Sequence, residues 1–131
     1  MYDNILIVDD SETSRMIIKK CLLMSGHEAA SYWEAEDGIK AMSILGSHPV
    51  DLVVTDLNMP RMDGLTLVRK LRKGDATREL KVVVISSMGN QQIDSELQNL
   101  GVFSIIRKPV TPAKILQAVG AETGSAEGGE F

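Results

Sequence analysis

A second cysteine is missing from this chain, and that absence already narrows its setting. Cys21 stands alone, so no internal disulfide can form and a reducing compartment, the cytoplasm, is the expected location. Its helical spacing from Ile17 and Met24 marks it as a plain core residue rather than a reactive thiol. An excess of positive charge is missing too: 14 Lys and Arg face 18 Asp and Glu, for a net charge of −4. A surface of that sign suits a nucleic-acid backbone poorly, so no direct nucleic-acid partner is expected. No apolar run approaches the roughly 18 residues that cross a bilayer, so no membrane insertion is expected. The opening MYDNILIVDD lacks the basic segment of a signal peptide and meets acid early. Histidine is sparse. His27 and His48 fall far apart in separate loops, which leaves no Cys/His set for zinc and marks both rings as solvated. The glycine signatures of dinucleotide and P-loop sites do not occur. What remains is 44% apolar and 24% charged over 131 residues, enough for one domain with a real core.

Five short apolar runs alternate with five amphipathic segments. The runs are Ile5–Val8, a weaker one at Ala29–Trp33, Leu52–Val54, Val82–Ile85 and Val102–Ile106. Between them, apolar residues recur at three to four: Met16, Ile17, Cys21 and Met24; Ile39, Met42 and Leu45; Leu65, Val68 and Leu71; Ile93, Leu97 and Leu100. Ile115, Leu116 and Val119 close the series. Ser11 or Thr13 caps the first helix, and Gly26 ends it after Ser25. Gly46, Pro49, Gly74 and Gly101 mark other breaks. Strict alternation of strand and helix implies right-handed βαβ units and a parallel sheet covered on both faces. Val82–Ile85 shows no polar alternation, as expected of a strand buried on both sides. The end, AETGSAEGGEF, reads as a linker or cloning remnant, so the expected organisation is a domain over 1–120 and a flexible tail over 121–131.

Open parallel sheets bind ligands just beyond the carboxyl ends of their strands. There the chain places Asp9 and Asp10 after the first run and Asp56 after LVVT. Ser86 and Ser87 follow VVVI, and Lys108 follows SIIR. Three carboxylates meeting at one edge raise one another's pKa, and a hard divalent cation reverses that cost. Mg²⁺, with Mn²⁺ as a substitute, fits a site of few carboxylates and several waters. For Asp9 and Asp10 alone, helix capping and dipole pairing explain the residues as well as a metal does. Asp56 and Lys108 together tip the balance towards phosphoryl chemistry, with Asp56 as nucleophile and Lys108 and Ser86 stabilising the transferring oxygens.

The motifs ILIVDDS, VTDLNMPRMDG, VVVISS and IIRKPV resemble the receiver domain of two-component response regulators, over Asn4 to Val119. EAEDGIKAM and the Asn of DLNMP make the chain most similar to single-domain chemotaxis-type regulators. The resemblance implies a flavodoxin-like α/β fold: a five-stranded parallel sheet of order 2-1-3-4-5 with five helices on both faces. Chemotaxis regulators are themselves a standard instance of that order, so the likeness supplies it, not the spacing. It further implies Asp56 as phosphoacceptor, with Asp10 and Asp56 on Mg²⁺ directly and Asp9 largely through water. Asn58 would add its main-chain carbonyl. Ser86, Ser87 and Lys108 would line the phosphoryl group, and the Lys108–Pro109 peptide would be cis. A histidine kinase is the implied donor. A protein target is expected on the face of strands four and five and the last helices, and the domain would hydrolyse its own phosphoryl group.

Three positions depart from the commonest pattern. Ile105 lies where many members carry a Tyr or Phe whose rotation reports phosphorylation, with Phe103 two residues earlier on the same strand face. Ser87 replaces a usual Ala or Gly, and Met88 stands where chemotaxis-type members often carry an acid; with Asn58, Met88 would alter the lifetime of the phosphorylated state. Two rival readings differ in class. An Asp-nucleophile phosphohydrolase typically needs a second acid two residues on, and Asn58 is there instead. A phosphorylation-independent, receiver-like interaction module would normally have lost an acid or the lysine, and this chain keeps all of them.

Overall fold

The structure is a computed structural model that describes residues 2–28, 30–87 and 90–120. Met88 and the 121–131 tail, both singled out above, lie outside the described residues. The strands are β1 (Asn4–Val8), β2 (Ser31–Ala35), β3 (Leu52–Asp56), β4 (Lys81–Ser86) and β5 (Ser104–Arg107). All pair in parallel, in the order β2-β1-β3-β4-β5. The helices are α1 (Glu12–Met24), α2 (Gly38–Ser47), α3 (Gly64–Lys73), α4 (Gln91–Asn99) and α5 (Pro112–Ile115), the last continued by a wider π-type turn over Leu116–Gly120.

The three central strands are apolar through their middles, Ile5–Val8, Leu52–Val54 and Val82–Ile85, because both of their faces are covered. Strand side chains alternate sides, so Ile5, Ile7, Leu52, Val54, Val83 and Ile85 pack against α1 and α5 through Ile18, Leu22, Ile115 and Val119. Their neighbours Leu6, Val8, Val53, Val82 and Val84 pack on the other side against Ala41, Ile44, Leu67, Leu71 and Leu97. The helices start where a short polar side chain takes an otherwise unpaired amide. Ser11, Asp37, Asp63, Asn90 and Thr111 cap α1 to α5 in turn. Gly26 and Gly101 close α1 and α4 at φ of 98° and 74°, the left-handed region that glycine enters without penalty.

Four expectations need correction. The edge strand β2 is Ser31–Ala35, starting after Ala30 and running two residues beyond Trp33, because its ladder begins where Ser31 N donates to Asp3 O; Ala29 lies outside the described residues. Likewise β5 begins at Ser104, not Val102, since Val102 N still closes the exit of α4 on Leu97 O. Phe103 therefore precedes the strand. Its ring lies under the Lys81 ammonium, 4.7 Å away, at the opposite end of the sheet from the aspartates. On α1 the buried stripe is Ile18, Cys21 and Leu22, while Met16 and Met24 are 61% and 65% exposed and Ile17 is exposed as well. Ile39 and Leu116 also face solvent. Apolar residues occupy most of the α1 circumference, and only docking on the sheet selects a face. Finally, His27 is not solvated but 2% exposed, stacked on Tyr2 with 6.1 Å between ring centroids. His48 is exposed, as expected.

Candidate functional site

β1 and β3 are neighbours in the sheet, so their carboxyl ends deliver acids side by side. Asp9, Asp10 and Asp56 each offer a carboxylate oxygen, and these oxygens all lie within 4.8 Å of one another. Asp9 and Asp56 are only 2% and 4% exposed; Asp10 faces solvent. Lys108, at the end of β5, places Nζ 3.0 Å from Asp56 Oδ1. The Lys108–Pro109 peptide is cis. Ser86 is buried at the end of β4, and its carbonyl accepts from Lys108 N at 2.8 Å. Ser87 and Asn58 are exposed at the rim. Ile105 is half-buried against the core on the α2–α3–α4 side of the sheet.

Asp9 shows what the cluster is short of. One oxygen, Oδ1, accepts from Ser11 N at 2.9 Å. The other, Oδ2, is buried without a hydrogen-bond partner among the described residues. Burial pushes the Asp9 carboxyl above its ordinary value; the Ser11 amide opposes this and the neighbouring Asp56 charge adds to it. A buried carboxylate oxygen left unpaired beside two more acids costs stability unless a cation takes it. Oxygen donors of this hardness, with Asp10 open to water, fit Mg²⁺ or Mn²⁺ and not a thiophilic metal.

The sequence of this chain matches the profile of the response regulator receiver domain over residues 5–120. It belongs to that family. Among relatives, it is 35% identical to the chemotaxis protein CheY of Bacillus subtilis over 119 residues, covering 91% of this chain and 96% of that one. It is 36% identical to a chemotaxis protein CheY homolog of Campylobacter jejuni over 129 residues, covering 95% and 96%. A CheY-like receiver domain protein of Methanospirillum hungatei superposes with a TM-score of 0.81 at 22% identity, covering 98% of this chain and 99% of that one. That last likeness concerns the fold alone.

Of the residues singled out from the motifs, the fold brings Asp9, Asp10, Asp56 and Lys108 into contact range. The motif reading did not single out the residues that hold this group from behind. Arg15 Nη1 donates to Asp9 O at 2.7 Å while its Nε pairs with Glu34 at 2.8 Å. Buried Asp37 pairs with Arg61 at 2.5 Å. The available signal was the Asp of EAEDG, an acid directly before the Gly that opens α2. Its partner 24 residues away is visible only in the fold.

Proposed function

We propose that this receiver domain is a phosphoryl-accepting signalling switch of a two-component system, with Asp56 as the acceptor. The observation that carries this reading is a buried, acid-flanked carboxylate at the end of a central strand with a lysine ammonium 3.0 Å away. An Asp56 oxygen attacks the phosphorus of a histidine kinase's phosphohistidine, or of a small acyl phosphate. The bond from phosphorus to the donor's imidazole nitrogen, or to its acyl oxygen, breaks with its electron pair leaving on the donor, and an aspartyl phosphate remains. Asp9, Asp10, Asp56 and the main-chain carbonyl of Asn58 are the groups that would hold Mg²⁺. Bound there, the ion supplies positive charge against the carboxylates and the transferring oxygens.

Lys108 exchanges its contact with Asp56 for one with a phosphoryl oxygen, and the Ser86 hydroxyl donates to another. Ser87 borders the entry. Because Lys108 N is bonded to Ser86 O, and Ser86 pairs with Arg107 across the ladder, the ends of β4 and β5 shift together. That shift biases a surface of β4, β5, α4 and α5, where a protein target docks. Ile105 occupies that face, so the aromatic rotation common among relatives has no part here. Water then hydrolyses the acyl phosphate and resets the switch. The catalysis is self-directed, and the relatives are signalling regulators. Among the described residues no helix is long and apolar enough to cross a membrane, in keeping with a cytoplasmic partner of a kinase.

The test is mass spectrometry after incubation with Mg²⁺ and acetyl phosphate. A single phosphoryl adduct is expected on the native chain and none on Asp56→Asn. No adduct on the native chain, or an undiminished one on the variant, defeats the proposal and leaves the phosphorylation-independent module as the better reading.

A further inference from the structure

The loop from Leu57 to Asp63 carries Asn58 two residues after the proposed acceptor, and contacts outside the chemical site hold it. Arg61 has φ of 65°, and it is the sole non-glycine residue at positive φ among those described. A bulky residue held there is strained and persists only where its surroundings require it. The requirement is visible. Arg61 Nε donates to Asp37 Oδ2 at 2.5 Å, and Asp37 is 3% exposed. The other Asp37 oxygen, Oδ1, caps α2 by accepting from Lys40 N at 2.8 Å. Next to it, Gly38 N donates to Met62 O at 3.1 Å. A Cβ on Gly38 would sit 2.6 Å from the Met62 sulfur, so the loop lies flat on the start of α2. The same short segment also holds the other acid loop. Ala35 O accepts from Asp9 N at 3.0 Å, and Glu34 pairs with the arginine that bonds Asp9 O. Residues 34–38 supply no proposed ligand, yet they fasten both loops that do.

We infer that the Asp37–Arg61 pair is a latch that holds the β3–α3 loop against α2, and that Arg61 is thereby a positioning residue for divalent-cation binding at Asp9, Asp10, Asp56 and Asn58. This rests on the phosphoacceptor reading of that site. The latch sets the spacing between the two acid loops before the ion arrives, so the ion does not have to order them. The direction of the effect separates this role from simple electrostatics. Removing a cation that acted only through its charge would tighten binding of another cation. Removing a latch weakens it.

The experiment is a Mn²⁺ titration followed by the free-ion electron paramagnetic resonance signal, on native protein, Arg61→Gly, Arg61→Lys, Asp37→Asn and the double variant Asp37→Asn/Arg61→Gly. Glycine suits the positive φ, so Arg61→Gly relieves strain and keeps the fold; Asn still caps α2. Arg61→Gly is expected to raise the Mn²⁺ Kd by about three- to tenfold, below the range for fully buried orienting groups because Arg61 is half exposed. Lys restores part of the loss through a single contact to Asp37. Asp37→Asn matches Arg61→Gly, and the double variant is no weaker than either single one. An unchanged or tighter Kd for Arg61→Gly, or additive losses in the double variant, overturns the latch while the acceptor reading stands. No Mn²⁺ binding by the native protein overturns the reading on which the latch rests.

Discussion

The two ends of the sheet use similar polar side chains to opposite effect. At the amino end, charged groups are consumed by the backbone. Asp51 accepts from both Asp3 N and Asn4 N, at 2.9 Å each. Arg72 reaches from α3 to the carbonyls of Leu100, Leu80, Gly101 and Thr77, tying the exits of α3 and α4 together. At the carboxyl end, Asp9 keeps an oxygen buried and unpaired, three acids crowd within a few ångströms, and Arg61 sits in a strained conformation. One end is satisfied as folded. The other keeps unmet valence, as the proposed cation and phosphoryl site requires, and on that reading stability and function are separated along the strand direction.

The largest expected effect tests the satisfied end. Arg72→Met keeps the stem but leaves its carbonyls without a charged donor, and should cost about 2–3 kcal/mol in urea unfolding. A loss under half of that would mean the carbonyls find water and the contrast is weaker than it looks. His27 is the exception at this end, since both its ring nitrogens are buried without partners among the described residues. Burial lowers its pKa below the ordinary 6.5. The unfolded chain therefore takes up a proton first as pH falls, so native stability is held above that value and lost below it. His27→Phe should gain about 1 kcal/mol at neutral pH and flatten this acid-side decline. Equal pH slopes in the two proteins would show that His27 has found a partner.

The smallest effect belongs to the functional end, and its sign is what matters. The Asp9 carboxyl is raised from 3.8, so the native state holds that proton to higher pH than the unfolded chain. Its share of stability is full below the ordinary value and is lost as pH rises through the native one. At neutral pH without metal, Asp9→Asn should therefore be more stable than the native chain, by about 0.5–1 kcal/mol. Saturating Mg²⁺ should reverse the order, because a ligand that binds only the folded state stabilises the protein that holds it better. A destabilised Asp9→Asn without metal would remove the idea of stored unmet valence.

Much of this was legible in the chain. All five strands and five helices were marked by apolar runs and three-to-four spacing, since central strands covered on both faces need no polar alternation to be recognised. The gathering of Asp9, Asp10, Asp56 and Lys108 followed from strand-end geometry. The errors share a cause. Met16, Ile17, Met24 and Ile39 fit a helical stripe, yet adjacent stripes on α1 and α2 were equally apolar, and only contact with the sheet chose between them. His27 read as solvated because nothing local says that Tyr2 packs on its ring. The limits of β2 and β5 moved because a ladder starts where a partner carbonyl waits, at Asp3 for Ser31.

Local pattern, then, determined which segments are strands, which are helices, and which strand ends carry oxygen and nitrogen groups, because those properties depend on neighbours within a few residues. The tertiary structure alone decided which helix faces are buried, that Asp9 keeps an unshared oxygen, and that Arg61 reaches back to Asp37. Those outcomes depend on which distant groups compete for the same space and the same hydrogen bonds, and no local stretch of chain contains that competition.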